Sequence, residues 1–148
     1  MSATLAGLAT IIINQKLDII FLQEVRLTSE QLSLLVGKLG FNACVNIDLD
    51  NTSRPGTALV WRRTLPVRDV CTLVVCRAQL AVLGPYRLLN VYAPSGSDKK
   101  HERSEFFGQE IFRAFRLSPN ARWIWGGDFN CVLKAIEEWD SNKSSVQH

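Results

Sequence analysis

The sequence predicts an α/β sandwich in which mixed β-sheets pack together with helices outside. Three observations carry that expectation. The apolar periodicities run helix, strand, helix, a series of strands, helix, strand, an order that calls for sheets covered by helices. The chain has 148 residues, the size of one domain, and a chain of that length buries roughly two thirds of its surface in a single core. Hydrophobic residues make up 47% and charged residues 21%, which excludes a chain too polar to fold.

Leu5, Leu8, Ala9, Ile12 and Ile13 recur at helical spacing, so residues 2–15 are expected to form an amphipathic helix. Asp18-Ile19-Ile20-Phe21-Leu22 is a short continuous apolar run, the pattern of a strand covered on both faces. Thr28 with Gln31 three residues later is a capping-box signature; Leu32, Leu35, Val36 and Leu39 then mark one helix face, and Gly40 supplies the stop. From Phe41 the β-branched and aromatic density rises, and residues 43–47, 57–61, 67–76 and 86–92 read as strands. Turn-rich stretches separate them at Asn51-Thr52-Ser53-Arg54-Pro55-Gly56 and Leu83-Gly84-Pro85. Ser97 can cap a helix in which Phe107, Ile111 and Phe115 share a face, and residues 122–125 form a strand ending at Gly126-Gly127. Residues 134–148 are polar, with little beyond Ile136, Trp139 and Val146 to bury, and are expected to be a disordered tail behind one domain at residues 3–133.

The formal net charge is +3, which excludes an acidic-tail protein. Arg62-Arg63, Arg68, Arg77, Arg87, Lys99-Lys100, Arg113, Arg116 and Arg122 are dispersed and form no basic tail, although folding could still gather a positive face. Cys44, Cys71, Cys76 and Cys131 show no CxxC or zinc spacing and sit beside apolar neighbours, the pattern of buried free thiols in a reducing compartment. The apolar start lacks a positive flank, is too short to cross a membrane and is broken by Gly7 and Thr10, so no membrane association and an intracellular location, nuclear or cytoplasmic, are expected.

Three segments put polar residues at strand ends, where a rigid sheet can hold them in a shared cleft: Leu22-Gln23-Glu24, Asn90-Val91-Tyr92-Ala93-Pro94 and Gly126-Gly127-Asp128-Phe129-Asn130. Singly, each has a plain structural reading. Glu24 could be a solvated loop carboxylate, Tyr92 a strand-end tyrosine with its hydroxyl in water, and Asp128 and Asn130 turn formers after two glycines. Lys99-Lys100-His101 reads as a solvated turn before a helix, and Trp61, Trp123 and Trp125, inside strand patterns, read as core or cleft wall.

Together the three segments resemble the endonuclease/exonuclease/phosphatase superfamily. Asp18-Ile19-Ile20-Phe21-Leu22-Gln23-Glu24 is similar to its metal-binding strand, Asn90-Val91-Tyr92-Ala93-Pro94 to its tyrosine motif and Gly127-Asp128-Phe129-Asn130 to its Gly-Asp-x-Asn motif, in family order. Gly56-Thr57-Ala58-Leu59-Val60-Trp61 between them resembles the strand after the family's second helix. The wording Leu-Gln-Glu-Val-Arg-Leu-Thr, Asn-Val-Tyr-Ala-Pro and Gly-Gly-Asp-Phe-Asn-Cys-Val-Leu most resembles the apurinic-endonuclease-like domain of LINE-type (non-LTR) retrotransposons.

That resemblance implies a four-layer fold, two mixed sheets face to face with helices outside, and Mg²⁺-dependent hydrolysis of phosphodiesters in DNA. Glu24 is the implied Mg²⁺ ligand, Tyr92 the phosphate contact, Asp128 the group that orients or deprotonates water, and Asn130 the amide that fixes that carboxylate or the phosphate. The family's first strand with its Asn, and its later strands with a further Asp and an Asp-His pair, are unmatched: His101 follows Lys100 and His148 follows Gln147. On this reading the domain is incomplete at both ends, weakly active or inactive, and able to self-associate through exposed sheet edges. The same motifs also suit a phosphatase or lipid phosphodiesterase of the superfamily, or a non-catalytic module that binds nucleic acid or another partner.

Overall fold

The computed structural model describes residues 2–130 and has four layers, helix, sheet, sheet and helix. The first helix, α1 (Ser2–Asn14), leads into β1 (Ile19–Val25), α2 (Ser29–Gly37), β2 (Phe41–Asn46) and β3 (Gly56–Arg62). β4 (Val67–Val74), β5 (Ala78–Leu83) and β6 (Tyr86–Tyr92) follow as a meander, and a helical segment then returns the chain to β7 (Arg122–Asp128). The first sheet has the order β1-β3-β2 and is antiparallel throughout; the second has the order β4-β5-β6-β7, with β6 and β7 parallel. The mixed character expected of both sheets thus belongs to the second, where the helical crossover permits a parallel pair.

Strand alternation sorts the apolar residues into three layers of core. Ile20 and Leu22 of β1, with Ala58 and Val60 of β3, face α1 and α2 and pack with Ile12, Leu32 and Val36. Their alternates, Ile19, Phe21, Leu59 and Trp61, face the second sheet and meet Ala81 and Leu88. Leu89 and Val91 on the far side of β6 pack under Phe106 and Ile111 of the crossover. The continuous apolar run of β1 therefore has apolar neighbours on both faces.

Local chemistry explains the helix ends. Thr28 caps α2: its side chain accepts from the Gln31 backbone N–H, and Gln31 returns a bond to the Thr28 N–H, a complete capping box. The crossover opens with a 3₁₀ turn (Ser97–Lys99), continues as α3 (Lys100–Glu105), widens to a π-helical stretch (Phe106–Ile111) and closes as α4 (Phe112–Leu117). The widening places Phe106 and Ile111, five apart, both in the core, while Phe107 and Phe115 are half-buried; the uniform face expected of Phe107, Ile111 and Phe115 is modified accordingly.

Three further expectations are corrected. The strand over residues 67–76 ends at Val74, because Cys76 takes a left-handed conformation (φ 65°) and turns the chain. β5 begins two residues later and had no sequence signal, since Ala78, Gln79 and Ala81 lack β-branched or aromatic bulk. The cysteines are not uniformly buried: Cys76 is, Cys44 is half-buried, and Cys71 is exposed where edge strand β4 breaks register with β5. Cys131 and the polar tail lie outside the described residues.

Leu59, 1% exposed between the two sheets, has no route to collapse around a vacancy. Leu59→Ala should destabilise the fold by about 2–5 kcal/mol, read as a lower denaturant midpoint with an unchanged slope.

Candidate active site

Glu24, Tyr92 and Asp128 stand at the C-terminal ends of β1, β6 and β7, strands that pack together across and within the sheets. Between Gln23 and Val25 the β1–β3 pairing slips, and Glu24 sits in that bulge at φ 57°, its side chain exposed. The bulge re-aims the carboxylate at the sheet end. Tyr92 lies two residues past Asn90 and is 8% exposed, and its hydroxyl donates to Glu24 Oε1 at 3.4 Å. Asp128 pairs with Tyr92 in the parallel register, and its backbone carbonyl accepts from the Ala93 N–H at 2.8 Å.

The Gly126-Gly127 pair is a packing requirement. A Cβ on Gly127, at φ 139°, would lie 1.9 Å from the Val91 carbonyl oxygen, and one on Gly126 would lie 2.3 Å from the Phe21 ring. Asn130 also adopts a left-handed conformation, φ 62°; its backbone N–H donates to Asp128 Oδ1 at 3.0 Å and its side-chain amide donates to the Ala93 carbonyl. The backbone of Asn130 therefore steadies the carboxylate while its amide ties the loop to the tyrosine motif.

Beneath these groups runs a buried amide network. Asn90, 1% exposed, donates through Nδ2 toward the Leu22 and Ala58 carbonyls and Gln79 Oε1, and accepts from Gln23 Nε2 at 3.0 Å. Gln79, 2% exposed, passes the chain on to the Cys44 carbonyl.

Burial pushes the Tyr92 phenol above its ordinary range; the nearby Glu24 carboxylate and the hydrogen bond to it push further, Asp128 adds to this, and the Arg77 guanidinium opposes. Tyr92 is consequently a neutral O–H donor at physiological pH.

The four candidate residues thus gather at one end of the sandwich. The sequence did not single out Arg77, whose guanidinium lies over the Tyr92 ring at 4.9 Å, or Gln79. The available signal for Arg77 was its place in the turn before the strand that pairs with the tyrosine motif. Lys99 and His101 are exposed and lie near Glu102 and Glu105, three and four residues further along the chain, a solvated arrangement. Trp61 is core, whereas Trp125 stacks on Phe115 and meets Phe129 at a tilt, with 41% exposure on edge strand β7.

The model of the endonuclease/exonuclease/phosphatase family matches residues 1–141. An AP endonuclease from Archaeoglobus fulgidus superposes with TM-score 0.69 at 15% identity, over 84% of this chain and 51% of that one. A 3′-5′ exonuclease (NExo) from Neisseria meningitidis superposes with TM-score 0.65 at 19% identity, over 85% and 52%. TDP2 from Caenorhabditis elegans gives 0.61 at 23% identity, over 85% and 41%. The chain spans about half the length of these structures, and the likeness is one of fold. A search of curated protein sequences gives no match.

Two outcomes follow from this geometry. Gly127→Ala, which forces a side chain into the β6 backbone, should lower the melting temperature sharply, while Gly108→Ala, where a Cβ meets nothing within 4 Å, should not. Because the folded state holds the Tyr92 proton above the unfolded pKa of about 10, the associated stability is complete below that pH and is lost as pH rises through the raised folded value. Tyr92→Phe should flatten that alkaline fall in urea midpoints.

Proposed function

We infer that this chain, which belongs to the endonuclease/exonuclease/phosphatase family, acts on DNA as a Mg²⁺-dependent phosphodiester hydrolase of the LINE endonuclease type. The observation that carries the reading is the meeting of Glu24 and Tyr92 at 3.4 Å with Asp128 in register opposite Tyr92. The wording of the three motifs supports the LINE assignment, and an AP endonuclease and a 3′-5′ exonuclease among the structural neighbours, together with a Neisseria 3′ phosphatase bound to a product DNA hairpin, support the substrate.

The donor set fits a hard, partly hydrated cation. Glu24 is an exposed carboxylate at a strand end, and among the described residues no group of three His, Cys, Asp or Glu is placed to enclose a metal. Mg²⁺ is commonly held by one or two carboxylates with water and substrate phosphate completing its shell, so Glu24 would hold it here. When bound, the ion supplies positive charge to the phosphate and leaving oxygens.

The protein's own groups do the rest. Tyr92, neutral, turns its O–H from Glu24 to a phosphate oxygen. Asp128, steadied at Oδ1 by the Asn130 N–H, keeps Oδ2 to orient an attacking water and take its proton. Asn130 ties the segment after Asp128 to the strand end that carries Tyr92. A second reading, a non-catalytic module that binds nucleic acid or a second copy, is favoured by edge strand β7, where Ile124 and Trp125 are 37% and 41% exposed.

A plasmid-nicking assay on the purified chain separates the two. Nicking should be slow, because the described site lacks a histidine and a third carboxylate and catalytic groups act as a unit. It should require Mg²⁺ and fall roughly 10²-fold or more in Glu24→Ala or Asp128→Ala. Nicking that survives both substitutions would overturn the assignment of these residues, and none at any metal concentration would favour the binding module.

A further inference from the structure

We propose that Arg77 is a positioning residue that clamps the Tyr92 ring and fixes where its hydroxyl sits relative to Glu24. The inference deepens the reading of Glu24, Tyr92 and Asp128 as a phosphodiester site and rests on it.

Arg77 touches Tyr92 in three ways. The Arg77 carbonyl accepts the Tyr92 N–H at 2.7 Å, Arg77 Nη1 donates to the Tyr92 carbonyl at 3.3 Å, and the guanidinium lies 4.9 Å from the ring centroid. Main chain and side chain of one residue therefore hold main chain and ring of the other. A guanidinium over an aromatic face is attracted by the ring quadrupole, and half-burial strengthens that attraction. Arg77 has no ion-pair partner among the described residues, so no carboxylate draws it off the ring.

The segment that presents Arg77 is itself pinned. Cys76, fully buried, holds φ 65°, a conformation costly for a residue with a Cβ. Asn46 keeps it there: its Oδ1 accepts the Cys76 N–H at 3.0 Å, and its Nδ2 donates to the Val74 and Ala78 carbonyls at 2.9 and 3.2 Å. A turn bonded on three sides by one buried amide presents Arg77 in a single place. Strain so tightly enforced beside the candidate phenol is a sign of pre-organisation.

The test uses the fact that the chain has two tyrosines, so that Tyr86→Phe leaves Tyr92 as the one ring signal. In that background, with ¹³C-labelled tyrosine, Arg77→Met should move the Tyr92 ring resonances toward free-tyrosine positions while β6 and β7 amide resonances stay in place, and Arg77→Lys should restore part of the shift. In nicking assays Arg77→Met should slow the reaction about tenfold, and the double variant with Tyr92→Phe should be no slower than Tyr92→Phe alone, the coupling expected of residues acting through one another. Unmoved ring resonances, or additive losses in the double variant, would overturn the role of Arg77. If no version nicks DNA, the hydrolase reading fails and the ring resonances alone decide for or against the clamp.

Discussion

The candidate site depends on one carboxamide set in an apolar interface. Two sheets pressed together by Leu59, Trp61, Ala81 and Leu88 are held by a force without direction, which fixes that they touch but not where along their strands. Asn90 supplies the direction. Its Nδ2 lies 2.9–3.2 Å from two carbonyls of the opposite sheet and from Gln79, while its Oδ1 takes the Gln23 amide. A buried amide left unpaired costs about 1–3 kcal/mol, so sliding β6 against β1 would forfeit these bonds together. Gln23 precedes Glu24 and Asn90 precedes Tyr92 by two, so the amide pair that sets the sheet register also sets the carboxylate against the phenol.

A second amide does the same for the other flank. Asn46 ends β2, bonds Thr57 across the first sheet and reaches into the β4–β5 turn of the second. Among the described non-glycine residues, positive φ occurs at Glu24, Asp69, Cys76 and Asn130. Three of these belong to the candidate site or to the turn that presents Arg77. The backbone cost is thus concentrated where side chains must be aimed, and the two amide networks are what hold it there.

Much of this was legible in the sequence because it is written in local patterns. The capping box at Thr28, the continuous apolar run of β1 and the polar residues that end β1, β6 and β7 each depend on neighbours in the chain, and so did the resemblance built on them. What was not legible depends on partners distant in sequence. Gln79 looks like a polar residue in a weak segment until its amide meets Asn90 and Cys44, and Ala78 and Ala81 qualify as strand residues because flanking strands cover them. The π-helical widening that puts Phe106 and Ile111 on one face cannot be seen in a 3.6-residue pattern. Arg77 was one basic residue among many, since a contact with an aromatic face fifteen residues away leaves no mark in charge spacing.

The electrostatics of the site also couple the ligands that the proposed reading would place there. Glu24 and Asp128 both act on Tyr92, and with the phenol kept neutral by burial its O–H adds no charge. Two carboxylates beside one guanidinium leave the strand ends short of positive charge, and a phosphodiester approaching them meets repulsion of about 1–4 kcal/mol per contact at surface dielectric. On the proposed reading, substrate and cation therefore favour each other: whichever arrives first lowers the cost of the second, and the coupling is equal in both directions. Arg77 cannot remove that dependence, because its guanidinium is committed to the face of Tyr92 rather than to either carboxylate. The geometry that aims the phenol is the same geometry that leaves the carboxylates in need of a counter-ion.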